Sequence, residues 1–341
     1  MFNTPTIFSL TLLLTLPLLF FYSSHILPPK HPLIPPPTHS SLFRRAILSS
    51  IHPLTESTRA NSPPKIVFLF LTNTDLHFAP LWQKFFNPKH QNLYNIYVHA
   101  YPSSAVKNPG GVFHNRFIAA KKTQRASPTL ISAARRLLSA AILDDPLNYY
   151  FALVSQTCIP LHSFHYTYKT LFHDSHQPTE STRLSYIEVL SEEPQLWDRY
   201  NARGENVMLP EVPFEKFRVG SQFFILTRKH SLMVVKERKM WNKFRLPCLN
   251  VESCYPEEHY FPTLLSMKDL KGVSQHTLTR VNWTDSVGGH PHTYNPTEVS
   301  PELIRTLRVS NTSSSYLFAR KFAPECLPAL MEMADDVIFR E

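Results

Sequence analysis

Residues 253–265 read SCYPEEHYFPTLL, which sets two adjacent carboxylates and a histidine between two prolines. Pro256 suits the first position of a helix, where its missing N–H costs nothing. Glu257 and Glu258 then fall in a first turn, where free N–H groups and the helix dipole favour ionised carboxylates. Pro262 cannot donate to the carbonyl of Glu258 and is expected to kink or end that turn. A carboxylate held at an irregular helix start can face a cleft and take a proton from a hydroxyl, which is the work of a general base. The plainer alternative is an acid pair that only caps a helix. Cys248 and Cys254, six residues apart and flanked by Pro247 and Pro256, suit a closed loop that would brace the same turn; two free thiols are the alternative. Cys158 and Cys326 are too far apart in sequence to judge, and the absence of any CxxC argues against zinc.

Other chemistries leave no trace in the sequence. There is no GxGxxG or GxxxxGK[ST], and seven glycines in 341 residues are few for a backbone that must approach phosphates closely, so a Rossmann dehydrogenase and a P-loop kinase both recede. No Asp-x-Asp occurs with which to hold Mn²⁺ or Mg²⁺, and no metal is expected. The 35 basic against 26 acidic residues give a net charge of +9, yet they form no long Lys/Arg block, which speaks against a nucleic-acid partner. A solvated surface or a phosphate-bearing ligand accounts for the surplus.

The elements that must position these groups begin after a distinctive N-terminus. Residues 7–22, IFSLTLLLTLPLLFFY, reach about 24 Å as a helix, short of a comfortable membrane span. Residues 1–24 therefore read as a signal peptide or a short signal anchor. No Lys or Arg precedes the run while Lys30, Arg44 and Arg45 follow it, and no clean cleavage site appears. Residues 25–64, rich in Pro and Ser, read as an extended stem, and residues 65–341 as a single lumenal domain. There KIVFLFLT (65–72), LYNIYVHA (93–100) and NYYFALVS (148–155) read as buried strands. HFAPLWQKFF (77–86) and the amphipathic PTLISAARRLLSAAILD (128–144) read as helices. Later come strand-like RLSYIEVL (183–190) and VGSQFFILT (219–227), helical HSLMVVKERKMWNKF (230–244) and a closing helix around APECLPALMEMADDVI. The alternation predicts an α/β domain of Rossmann type, with a mostly parallel sheet flanked by helices. In such sheets ligands lie beyond the carboxyl ends of the strands. That nominates the loops at Thr72 to Asp75, His99 to Tyr101 and Ser155 to Thr157 for nucleotide or sugar contacts.

The order KIVFLFLT, YNIYVHAYPS, PTLISAARRLLSAAILD, YYFALVSQTCIPL, SYIEVL, WDRYN, GSQFFILTRKH, PEEHYFPTLL and YLFARKFAP resembles the plant core-2/I-branching β-1,6-N-acetylglucosaminyltransferase-like proteins over roughly residues 65–330. The resemblance implies a type II Golgi membrane protein with a GT-A-like fold. It implies inverting, metal-independent transfer of a GlcNAc-like sugar from a UDP-sugar to a glycan acceptor, without a cofactor. The family's base is the acid directly before the His of its EH motif, here Glu258. Its basic pair near the C-terminus falls on Lys321 of ARKF and on Arg305 or Arg308, with Arg305 preferred; Thr72 and His99 complete the donor side. The SYIE block puts Glu188 at a sugar-contacting position, and WDRY offers Trp197, Arg199 and Tyr200 to the acceptor. Aromatic faces stack on sugar rings, and a carboxylate with a guanidinium binds hydroxyls. Gly220 and Ser221 match a turn that shapes the cleft floor. The sequons at Asn282 and Asn311 agree with a lumenal domain.

Two positions depart from the family pattern. Arg125-Ala126 stands where many relatives have Trp-Gly, and Ala133-Ala134-Arg135 where they have Ala-Glu-Arg; both departures are expected on the donor side. Two further functions are compatible with these residues. One is a secreted glycosidase using Glu188 and Glu258 as its carboxylate pair, which the stem and the Lys321 block disfavour. The other is a catalytically silent sugar-binding relative, for which the two departures are the motive.

Overall fold

The computed structural model describes residues 39–49, 62–173, 183–284, 286, 289–312 and 314–340. The expected signal segment 1–24 lies outside them, as does most of the expected stem. Among the described residues no helix is long and apolar enough to cross a membrane.

Three apolar runs form the parallel centre of the main sheet. They are β1 (Lys65–Thr72), β2 (Tyr94–Ala100) and β3 (Asn148–Ser155). The sheet order is β2-β1-β3-β5, and the short β5 (Ile225–Thr227) pairs antiparallel with β3. Successive strand residues point to opposite faces, so a strand buried on both sides must be apolar throughout. In β1, Ile66, Phe68 and Phe70 enter one core, which Trp82, Phe85 and Phe164 help to fill. Val67, Leu69 and Leu71 enter the other. That second core packs against α3 (Pro128–Asp144), whose N-cap Ser127 accepts the N–H of Thr129 and whose Pro128 occupies the tolerant first turn. A second sheet, β4 (Ile159–Pro160), β7 (Phe318–Arg320) and β6 (Thr279–Val281), mixes an antiparallel with a parallel pair. The sheets are therefore mixed and flanked by helices, where the sequence pattern suggested a mostly parallel one.

Four local expectations are corrected. Within the expected extended stem, His39–Ser49 forms helix α1, whose Phe43, Ala46 and Ile47 pack into the second core. These three have the i, i+3, i+4 spacing of an amphipathic helix, which the surrounding prolines and serines obscure. RLSYIEVL is not a regular strand; it makes isolated bridges from Ser185 to Val273, Tyr186 to Ile225 and Leu190 to Val219. The helix expected over 230–244 breaks into α6 (Arg228–Lys236) and α7 (Lys239–Phe244). Glu237 causes the break: its backbone is extended, and its carboxylate takes the N–H groups of Met240 and Trp241 to start a new helix. The Pro256–Glu258 turn is a single 3-10 turn, and α8 (Tyr260–Asp269) opens immediately after it. Pro262 falls in the first turn of α8, where N–H groups have no helical partner in any case, so it starts a helix rather than ending one.

The Ala133 to Arg135 departure does not line the main cavity, contrary to the expected donor-side position. Ala133 and Ala134 are buried in the second core. The Arg135 guanidinium bonds the hydroxyl of Tyr260 and the carbonyls of Val235 and Glu237, and it lies over the Trp241 ring at 5.0 Å. Its work is to tie α3 to the elements that carry the 256–269 segment.

Candidate active site

Beyond the carboxyl ends of β1, β2 and β3 opens a cavity of about 760 Å³, within the range of small-molecule sites. Its wall includes Thr72 and Asn73 after β1, Tyr101 after β2, and Ser155 to Thr157 after β3. The Gln156 amide donates to Asn73 at 2.8 Å and joins two of these loops.

Glu258 reaches the cavity through a series of local constraints. Cys248 and Cys254 are disulfide-bonded, closing the loop ahead of the turn. Tyr255 then adopts a left-handed backbone (φ 35°), and Pro256 opens the 3-10 turn. From below, His259 Nδ1 bonds the carbonyl of Arg218 at 2.8 Å, and its ring stacks on Phe217 at 4.5 Å. A carbonyl can only accept, so Nδ1 carries the proton. Burial pushes the imidazole down to about 3, which keeps it neutral: His259 is an anchor, not a reacting group. The N–H of Gly220 donates to the carbonyl of Glu258 at 2.9 Å. A Cβ on Gly220 would lie 2.1 Å from the carbonyl oxygen of Glu188, so only glycine allows the two segments to meet. The Ser221 N–H donates to the Glu188 carboxylate at 3.0 Å.

The two adjacent glutamates have different surroundings. Glu258 Oε2 pairs with Arg199 Nη1 at 2.8 Å, with the carboxylate side chain about one third exposed to the cavity. Glu257 is 4% exposed; Oε1 accepts the N–H of Ala126 at 3.0 Å, and Oε2 has no partner. Burial pushes its carboxyl up to about 7, against the pull of backbone N–H bonds and of Arg125. A helix start favours ionised acids, but for Glu257 the cost of dehydration outweighs the dipole. Burial likewise raises Glu188, whose Ser221 bond opposes the rise while nearby Glu258 adds to it.

A cationic cluster shares the cavity. Arg320 ends β7, and Lys321 follows it through a cis peptide bond; both line the cavity. The Arg320 guanidinium lies over the Phe223 ring at 4.4 Å. Burial lowers Lys321, and the positive charges of Arg320 and Arg125 lower it further. Arg125 and His290 also line the wall and hydrogen-bond each other.

The structure therefore brings Thr72, Glu188, Arg199, Gly220, Ser221, Glu258 and Lys321 to one cavity, together with the sites' aromatic neighbours Tyr101, Trp283 and Tyr316. It does not bring the others. Arg305 is exposed on α9 (Pro301–Arg308), paired with Glu302 three residues back. Arg308 gives its guanidinium to the carbonyls of Leu161, Val337 and Ile338. His99 is fully buried; strand alternation turns it under the 119–121 segment, where Nε2 accepts the N–H of Lys121 and burial pushes the ring down to about 4. On α5 (Leu196–Asn201) each residue turns the side chain by about 100°, so only Arg199 of the WDRY block faces the cavity. Trp197 packs edge-on against Phe214, and the Tyr200 hydroxyl donates to the Val212 carbonyl. Asn311 is exposed and Asn282 half-buried, its side-chain oxygen taking the N–H of Thr284. Among the described residues no group of three His, Cys, Asp or Glu is placed to hold a metal ion.

Sequence reasoning missed Arg320, Trp283 and His290. Arg320 adjoins Lys321, and Trp283 is the middle residue of a sequon, but neither neighbour says which way a side chain points. His290 carried no signal.

Comparison with known proteins agrees with the resemblance noted in the sequence. Residues 66–308 match the Core-2/I-Branching enzyme family. The chain is 28% identical over 319 residues to Glycosyltransferase BC10 of Oryza sativa subsp. japonica, covering 78% of this chain and 76% of that protein.

Proposed function

Because the chain belongs to the Core-2/I-Branching enzyme family, and so to the glycosyltransferases, we propose that it moves a GlcNAc-like sugar from a UDP-sugar to a hydroxyl of a glycan or glycoprotein, with inversion and without a metal. The observation that carries this reading is the meeting, in one cavity, of the Arg199-paired carboxylate of Glu258 with the cluster of Lys321, Arg320 and Arg125. In the proposed reaction Glu258 takes the proton of the acceptor hydroxyl. The hydroxyl oxygen then bonds the anomeric carbon from the face opposite UDP as the carbon–oxygen bond to the diphosphate breaks. The pair of electrons leaves with UDP, and the cationic cluster faces the charge that develops there. Arg199 holds one carboxylate oxygen and so orients the other, Oε1, for the proton. Tyr101, Trp283 and Tyr316 offer ring faces for sugars.

The Golgi lumen is the proposed setting, supported by the apolar run at 7–22, the two sequons and the disulfide. A two-carboxylate glycosidase is less well supported, because Glu258 is paired with Arg199 and the cavity is rich in cations. The test is UDP release and product formation by the purified protein across UDP-sugars and a glycan acceptor array. Glu258→Gln should lower turnover by about a hundredfold or more while keeping UDP affinity. Unchanged turnover in that variant would reject the assignment.

A further inference from the structure

We propose that Arg125, in the loop ahead of α3, binds the diphosphate of the donor together with Lys321, the task that sequence comparison gave to Arg305 or Arg308. The proposal rests on the UDP-sugar reading of the cavity. Two negative charges need more than one lysine to face them, and both sequence candidates are committed elsewhere: Arg305 to Glu302 at the surface, Arg308 to three carbonyls. Of the other arginines that line the cavity, Arg199 is paired with Glu258, and Arg320 adds its charge beside its chain neighbour Lys321; Arg125 brings a cation from a separate loop.

Its surroundings fit the role. The guanidinium lies over the ring of Tyr255 at 5.4 Å; Nη2 donates to the carbonyl of Gly289 at 3.2 Å, and Nη1 meets His290 Nε2. A guanidinium has five N–H donors, and these contacts use two of them. The rest are available to oxygen atoms in the cavity. Among the described residues no carboxylate forms an ion pair with Arg125 or Lys321. Burial pushes His290 below the ordinary imidazole range, and the charges of Arg125, Lys321 and Arg320 push it further. Like charges gathered in this way repel, and an anion between them removes the repulsion.

The loop is also built to hold the arginine in place. Ala126 has a left-handed backbone (φ 55°), a conformation that costs an alanine about 1 kcal/mol or more. The bond from its N–H to the buried Glu257 fixes that residue against the turn that carries Glu258. Two dipeptides, Arg125-Ala126 and Glu257-Glu258, are thus joined through their inner members, and their outer members face the cavity. The departure from the Trp-Gly of relatives acquires a use: it supplies a charge.

Calorimetric titration of the full-length protein with UDP, uridine and inorganic pyrophosphate tests this, using the unmutated protein, Arg125→Gln, Arg125→Lys and Arg305→Gln. Loss of a charged hydrogen-bonding partner should weaken UDP and pyrophosphate by about tenfold or more in Arg125→Gln, less in Arg125→Lys, and leave uridine and all Arg305→Gln affinities unchanged. UDP affinity within about twofold of the unmutated protein in Arg125→Gln would overturn the proposal, as would a parallel loss for uridine, which would mean that Arg125 only supports the loop. Pyrophosphate binding that depends on Arg125 without any UDP binding would uphold the anion site and reject the nucleotide reading. Binding of neither would overturn both.

Discussion

Replacing Glu257 by glutamine removes the titration of one buried carboxyl while keeping an oxygen for the Ala126 N–H. Burial raises that carboxyl from its ordinary 4.5 to about 7. Between these two pH values the native protein keeps a proton that the unfolded chain has lost, so the stability of the unmutated protein falls as pH rises through the window. Below about pH 4.5 both states are protonated and nothing is lost; above about pH 7 both are ionised and the loss is complete. The difference of about 2.5 pH units corresponds to about 3 kcal/mol. Glu257→Gln carries no such dependence. Its melting temperature should equal that of the unmutated protein near pH 4.5 and exceed it by about 6 °C near pH 8.5, at about 2 °C per kcal/mol for a chain of this size. Comparing the two proteins at each pH cancels every other titrating group. Thermal unfolding followed by circular dichroism at four or five pH values supplies the measurement. A difference that does not change with pH would refute the reasoning, and so would a variant less stable than the unmutated protein at pH 8.5.

Gly220→Ala should cost about 2 kcal/mol or more, because its Cβ would collide with the Glu188 carbonyl, a backbone atom that cannot swing aside; a melting temperature within 1 °C of the unmutated protein would show that the two segments can separate freely. Transfer should persist in EDTA and fall sharply in Lys321→Ala, since the cations of the cavity are expected to replace a metal at the leaving diphosphate. Activity abolished by EDTA and restored by Mn²⁺ would sink that mechanism.

The parts of the fold that were legible in the sequence are those fixed by local spacing. KIVFLFLT must be buried on both faces whatever it pairs with, and Ser127-Pro128 starts α3 by its own chemistry. The illegible parts depend on partners distant in sequence. SYIEVL looks like a strand, but β5 offers it only three residues, and it settles for single bridges. Glu237 looks like an ordinary mid-helix acid until its carboxylate is seen to cap the next helix. In the cavity wall, the PEEH turn was legible because proline, acid and histidine have fixed local meanings. Which glutamate is buried and which is paired with a cation was not derivable from them; it depends on Ala126 and Arg199, 131 and 59 residues away in the chain. The placing of Arg305 and Arg308 failed for the same reason. Both lie in the last turn of a helix with the right spacing, and only Glu302 and the carbonyls of the 161 and 337–338 segments reveal that they face elsewhere.

A cavity that holds both carboxylates and several cations faces a difficulty that the geometry resolves. Glu258 and Arg320 are close enough for each to feel the other's charge. Left free, such groups would pair and cancel, and the proposed base, bound to the cations proposed to face the diphosphate, would serve neither purpose. Each has a partner of its own. Glu258 is held to Arg199, which in turn lies over the Tyr255 ring at 5.2 Å. Arg125 rests on the same ring at 5.4 Å, so one aromatic side chain carries a guanidinium that holds Glu258 and another that lines the cavity. Glu257 is occupied by the Ala126 N–H, and the backbone at Lys321 is fixed by the Tyr294 N–H bonded to its carbonyl. Tyr255 thereby becomes the common support of both halves of the site. Its left-handed backbone, directly after the disulfide and directly before Pro256, is what sets that ring between them.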